Sequence, residues 1–263
     1  MTTGIPKPQV DTSKPHPARV YDWLLGGKDN YTVDQEIGKK LPDASKQDAR
    51  LNRAFMHRAA AWVAGSGIDQ YLDIGTGIPT EPNLHQIVQG IVPASRVVYT
   101  DNDPIVLRHA EALLISTREG ATDYIQADVR RPDEILDHAR GILDFERPIA
   151  LSLIALMHFI PDEDDPYGIT RTLVESLPAG SLLLFSHGTA DFQPDKLVGH
   201  VNDTYGKGGI SLRLRSRAEV ERFFEGLEMV EPGLVTAPNW YKDTPAPEDA
   251  HSSFYVGVAR VGG

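Results

Sequence analysis

Cysteine is absent from this 263-residue chain, which excludes disulfides, cysteine-bound zinc and thiol catalysis at once. No apolar run approaches the roughly 20 residues that cross a bilayer. The opening stretch, MTTGIPKPQVDTSKPHPA, has neither an apolar core nor an arginine-rich amphipathic pattern, so no secretory or transit signal is read there. Positive charge is scarce: 26 Lys and Arg stand against 37 Asp and Glu, a net charge of −11. That balance speaks against non-specific nucleic-acid binding, which needs a field of basic side chains to displace counterions. We therefore expect a cytoplasmic protein with no nucleic-acid partner and no membrane contact; homo-oligomer formation is left open. What remains is ordinary for a globular protein, with 41% hydrophobic and 24% charged residues, enough for one large α/β domain with a full core.

From residue 70 onward apolar strands alternate with amphipathic helices, the pattern of a mostly parallel, doubly wound sheet. Strands are expected at 70–74, 96–100, 123–127, 148–156 and 181–187. The fourth is almost unbroken apolar sequence, as a central parallel strand should be. The helix that starts near Pro104 should turn Val106, Leu107, Ala110, Leu113 and Leu114 inward. Ahead of the sheet, 18–25 and 47–64 read as helices. In the second, Leu51, Phe55, Ala59, Trp62 and Val63 share one face, while Asn52, Arg53 and His57 are read as structural or solvated. Residues 188–215 interrupt the alternation, with a helix at 194–205. Ser216 to Glu219 form a capping box for a helix packing Val220, Phe223 and Phe224. The last two strands, 228–235 and 252–260, flank a proline-rich loop. Residues 1–17 are expected to be flexible.

The chain is organised around QYLDIGTGIPT at 70–80. A strand ending in Gly75-Thr76-Gly77 and handing over to a helix brings backbone close to a nucleotide-like ligand. Only residues without Cβ turn there with positive φ and leave room for contact. RVVYTDND at 96–103 is a second apolar strand ending in Asp101, and an acid there accepts hydrogen bonds from both hydroxyls of a ribose. Glycine turn and acid together imply an adenosine-bearing cofactor. A dinucleotide fingerprint wants a third glycine under the pyrophosphate, yet that position holds Thr80, preceded by Pro79, and the turn carries no lysine or arginine. A Tyr-x-x-x-Lys hydride-transfer pair is also missing. Ribose without phosphate points to S-adenosylmethionine rather than a nicotinamide cofactor.

On these residues the sequence resembles the class I S-adenosylmethionine-dependent methyltransferases. More closely, it is similar to a bacterial subfamily long catalogued as a domain of unknown function. The resemblance runs from ARVYDWLLGGKDNY at 18–31 through NRAF at 52–55, LDIGTGIPT and DNDPIVL to DEDDPYGI and FFEGLEMVEPGLV. It implies a Rossmann-like seven-stranded sheet with an antiparallel C-terminal hairpin and an N-terminal helical lid. A single domain over 18–263 would then divide into a lid at 18–66, a cofactor-binding core at 70–187 and an insertion at 188–215 over the substrate side. The implied donor is S-adenosyl-L-methionine, the product S-adenosyl-L-homocysteine, and the acceptor a small molecule. A protein that binds the cofactor as a sensor or scaffold is a second reading, an NAD(P)-dependent oxidoreductase a third.

The cofactor residues so implied are Asp73, Gly75, Thr76, Gly77, Asp101, Asn102, Asp128, Val129, Ala155 and Tyr21. Asp73 either is a capped strand residue or orients the turn and the donor's amino group. Asp128, with the Val129 amide, either reads an adenine amino group or caps the helix after Pro132. Asn102 or Asp103 is left to cap the helix at Pro104. Tyr31, in the loop at 28–31, and His187, at the end of the fifth strand, are candidates for substrate contact. His158, past the fourth strand, is the candidate catalytic base, since histidine's ordinary pKa of about 6.5 suits that task; for both histidines a core residue bonded to backbone is the other reading. The acidic run at 162–165 is expected to be solvated at a helix N-terminus, with no metal.

Overall fold

The computed structural model describes residues 11–240, Leu114 excepted, and 252–262. Its parallel strands are β1 (Gln70–Ile74), β2 (Arg96–Asp101), β3 (Ala121–Gln126), β4 (Ala150–Ile154) and β5 (Leu182–Gly188). They run in spatial order 3-2-1-4-5, so the strand order reverses between β1 and β4. In such sheets the crevice outside the carboxyl ends at that reversal is where ligands bind. Three further strands, β6 (Glu228–Met229), β7 (Val235–Thr236) and β8 (Phe254–Arg260), complete the edge. β8 pairs antiparallel with β5, His187 opposite Tyr255. The strand expected whole at 228–235 is broken into β6 and β7, which pair with the two ends of β8. Pro232 in the gap has no N–H to give the ladder. Seven strand positions therefore carry eight strands, with the antiparallel pair at the edge as expected.

Helices cover both faces. α3 (Ala44–Gly65) and α4 (Leu84–Ile91) bury Phe55, Ala59, Val63 and Val88 against Tyr71, Val97 and Leu184. On the other face α6 (Pro132–Ala139), α7 (Pro166–Glu175) and α9 (Arg217–Glu221), with the 3-10 turn Arg222–Phe224 that continues it, pack Leu136, Leu173, Val220, Phe223 and Phe224 on Leu72, Leu151 and Phe185. The capping box of α9 forms as read: Ser216 N–H donates to Glu219 Oε2 at 2.8 Å. α5 (Pro104–Leu113) buries Val106; the side chains of Leu107, Ala110, Leu113 and Leu114 lie outside the described residues, as do residues 1–10 of the expected flexible segment and the proline-rich loop from 241 to 251.

A third cluster joins α1 (Pro17–Leu25) and α2 (Thr32–Gly38) to α8 (Asp195–Lys207), through Val20, Leu24, Ile37, Tyr205 and Ile210. The N-terminal helices thus lean on the helix inserted after β5, above the carboxyl edge. Of the stretch 18–66 expected as a lid, α3 instead belongs to the layer on the sheet. Among the described residues no helix is long and apolar enough to cross a membrane.

Candidate active site

At the carboxyl ends of β1, β2 and β4 the chain encloses a cavity of about 360 Å³. Its floor is the turn after β1. Gly75 and Gly77 take φ of +77° and +69°, which L side chains rarely adopt. A Cβ on Gly75 would lie 2.8 Å from the Leu156 side chain, whereas one on Gly77 would meet nothing within 4 Å. The first glycine is thus demanded by packing, the second by conformation alone. Thr76 closes the turn through its hydroxyl, which donates to Asp73 O at 3.1 Å.

Three carboxylates face this cavity. Asp73 sits where burial pushes its pKa up to about 6, against the pull of nearby Arg53. Asp101, 5% exposed, accepts Gly77 N–H on Oδ2 at 2.8 Å and Asp103 N–H on Oδ1 at 2.9 Å. Those bonds tie the two strand ends together and leave each oxygen a further lone pair. Burial pushes Asp101 up as well. Asp128 is gripped by Arg130, with Nε to Oδ1 at 2.9 Å and Nη2 to Oδ2 at 2.6 Å, and is held below the usual range, hydrogen bonds and charge from Arg130 outweighing burial. The capping duty falls to Asp103, whose Oδ1 accepts Ile105 N–H at 3.1 Å. Its other oxygen takes Arg19 Nε at 2.7 Å, strapping α1 across the mouth.

Tyr21, Asp73, Gly75, Thr76, Gly77, Asp101, Asn102, Asp128, Val129 and Ala155 all line the one cavity. Ala155 has φ +53°, a strained value for a non-glycine, and its N–H donates to Ser186 Oγ at 2.8 Å. Tyr21 spends its hydroxyl on α3, donating to Ala49 O and accepting from Asn52 Nδ2, both at 3.0 Å, so it offers the cavity its ring.

Three expected residues are elsewhere. His187 is fully buried: its Nδ1 bonds Gly188 O at 2.7 Å and Nε2 faces Arg215 Nη1 at 2.9 Å. Burial, with His158 and Arg215 beside it, pushes it well below its ordinary value. It is a core histidine, and the substrate-contact reading falls. Tyr31 caps α2 and packs with Ile78 and Val106 under the Arg19 guanidinium, lining neither the glycine-turn cavity nor its neighbour. His158 lines that neighbouring cavity. Its Nδ1 accepts Gly188 N–H at 3.2 Å, and burial plus Arg215 push it down to about 3. A ring so placed is neutral, carries its proton on Nε2 and is no general base. The acidic run is divided: Asp162 pairs with Arg213 and Arg215, Asp164 with Arg130, and Asp165 caps α7 through Gly168 N–H.

Two residues were missed. His16 reaches Asn102 Oδ1 through Nε2 at 3.1 Å and lines the mouth. Arg53 lines the wall beside Asp73, its Nη2 donating to Thr80 O and, at 3.1 Å, to Pro82 O. The NRAF motif was the available signal for Arg53.

Residues 3–262 match the sequence profile of a family described as S-adenosyl methyltransferase. A DUF574-family protein of Streptomyces avermitilis is 48% identical, covering 96% of this chain and 100% of that one, with a TM-score of 0.91. A candidate methyltransferase of Thermobifida fusca is 36% identical over 98% and 99% of the two chains, with a TM-score of 0.86. At 10% identity and a TM-score of 0.53, the magnesium protoporphyrin IX methyltransferase of Synechocystis, solved with S-adenosylhomocysteine, covers 92% of this chain and 93% of its own; it shares the fold. Among proteins with curated descriptions, none matches the chain.

Proposed function

Because this chain belongs to the S-adenosyl methyltransferase family, and so takes S-adenosylmethionine as its cofactor, we propose that the cavity at the glycine turn is the donor site and that the acceptor is a small molecule. The observation that carries the reading is the cavity's acidity. Asp73, Asp101 and Asp128 offer acceptors to an ammonium, a pair of ribose hydroxyls and an adenine amino group. The turn makes a poor pyrophosphate cradle: Gly77 N–H is committed to Asp101, and α4 does not begin until Leu84. A helix N-terminus set against the turn is what a dinucleotide needs. In this reading Asp101 holds the ribose, Asp128 and Val129 the adenine edge, Asp73 the ammonium and Arg53 the carboxylate of the methionine part. α1 and the insertion at 188–215 cover them.

Bound there, the cofactor supplies an electrophilic methyl group whose bond to sulfur breaks as the acceptor's lone pair takes the carbon, the bonding electrons returning to sulfur. The chain's part is alignment and exclusion of water, by Ala155, Leu156 and Phe159 on one wall and Tyr21 on the other. No side chain need remove a proton before transfer, which agrees with a neutral, acceptor-blocked His158. Calorimetric titration tests the reading. S-adenosylmethionine and S-adenosylhomocysteine should both bind, and NAD should give no heat. Tight NAD binding without heat from either sulfur ligand would sink it.

A pH dependence follows from Asp73. Pairing with an ammonium requires the ionised carboxylate, and the free group titrates at about 6. Affinity for S-adenosylmethionine should be flat above pH 7 and fall towards roughly tenfold per unit below pH 6; Asp101, also raised, acts in the same direction. In the free protein the sign reverses. The raised carboxyl adds stability below its unfolded value of about 3.9 and loses it as pH rises through 6. Titration of wild type and Asp73→Asn from pH 5 to 8 checks this: the same slope in both would refute the role given to Asp73.

A further inference from the structure

Past Pro17, Tyr21 and Phe159, which line both spaces, lies a second cavity of about 120 Å³. Its walls are apolar, with Leu24 from α1, Leu197 and Val201 from α8 and Phe254 from β8. Among the described residues lining it there is one carboxylate, Asp48, and no lysine or arginine. Asp48 Oδ1 accepts Ser253 N–H at 2.9 Å, and no described cation pairs with it. Burial pushes its carboxyl up, partly offset by hydrogen bonds from Ser252 and Ser253. The histidine of this wall, His158, is held neutral by the Gly188 amide, so Asp48 is the one charge among the described residues of the wall. A half-buried carboxylate among apolar side chains, with no counter-charge among the described residues, is a ready partner for a cationic group on a ligand.

We propose that this cavity is the acceptor subsite and takes a small amphipathic amine, its ammonium anchored on Asp48 and its apolar body between α1 and α8. A second, neutral atom with a free lone pair, not the ammonium nitrogen, takes the methyl group. The proposal rests on the donor-site reading, since Pro17, Tyr21 and Phe159, which line both spaces, set this cavity beside the donor site. The volume suits one ring or a short alkyl chain and excludes a macromolecular acceptor from the subsite itself.

The test uses the full chain saturated with S-adenosylhomocysteine and titrated with phenethylamine and with the isosteric 2-phenylethanol. The amine should bind at least tenfold more tightly than the alcohol. Asp48→Asn should erase that preference while S-adenosylhomocysteine affinity and thermal midpoint stay as in wild type. Val198→Phe, which narrows the cavity from α8, should weaken both probes. It keeps the question decidable should the Asp48 variant fail to fold. No binding of the amine, equal binding of amine and alcohol, or a preference that survives Asp48→Asn would overturn the subsite and leave the donor site standing. Failure of wild type to bind S-adenosylhomocysteine would overturn the donor site itself.

Discussion

Asp101→Ala is expected to weaken S-adenosylmethionine and S-adenosylhomocysteine together by about a hundredfold or more. Two hydrogen bonds from ribose hydroxyls to a charged acceptor are worth roughly 1.5–3 kcal/mol each, and each 1.4 kcal/mol is about tenfold. The loss should be common to both ligands because they share the ribose. The same carboxylate also holds Gly77 N–H and Asp103 N–H, so the alanine variant loosens the glycine turn as well. Asp101→Asn keeps a single acceptor oxygen for two backbone amides and should fall between alanine and wild type. Calorimetry of the three proteins decides; a change of less than threefold for alanine would remove Asp101 from the donor site.

Arg215→Ala is expected to lower stability by about 3–5 kcal/mol, mainly through the buried acceptors it leaves unpaired, since its charged partner Asp162 is exposed. The Arg215 side chain is fully buried. Its Nη1 donates to Met157 O at 3.1 Å and to His187 Nε2 at 2.9 Å; Nη2 donates to Ile160 O at 3.2 Å and to Asp162. Its guanidinium lies 5.5 and 5.6 Å from the Tyr167 and Phe223 ring centres. Removal strands two carbonyls and an imidazole nitrogen, each costing about 1–3 kcal/mol if left unpaired. At roughly 2–4 °C per kcal/mol for a chain of this size, the thermal midpoint should drop by about 10 °C. Arg215→Lys should recover only part, since an ammonium has no fork to span these acceptors. Because Phe159 and Ile160 in the clamped loop also line the donor cavity, cofactor affinity should fall with the midpoint. A stability loss under 1 kcal/mol would show that the loop stands without the clamp.

The residues that the sequence assigned to the cofactor, Tyr21 of α1 excepted, were legible because they sit where a parallel strand ends. An apolar run has a definite last residue, and the doubly wound pattern brings all such ends to one edge. Asp101 followed from that position together with the glycine turn, while Asp73, Asp128 and Ala155 were implied by the family resemblance; all four line one cavity. Gly75 and Gly77 were legible because no other residue takes their conformation cheaply. The edge strand at 228–235 was over-read: Pro232 was visible, but its effect depends on which side of the strand must donate.

The histidines show where local reasoning stops. His158 and His187 both lie at the carboxyl edge, yet the His187 ring is held by Arg215, 28 residues beyond it in sequence, and the His158 ring by the Gly188 N–H, 30 residues beyond it. Arg53 shares a helix with the sheet-packing Phe55, and its phase alone did not separate solvent from cavity. Tyr31 packs on Ile78 and Val106 beneath the Arg19 guanidinium, which Asp103 holds. The sequence by itself determined the sheet, its ligand-binding edge and the chemistry of the strand ends, because these follow from short-range periodicity and backbone conformation. Only the tertiary structure decided which side chains beyond those ends face the cavity, because their direction is set by hydrogen bonds and packing between segments far apart in the chain.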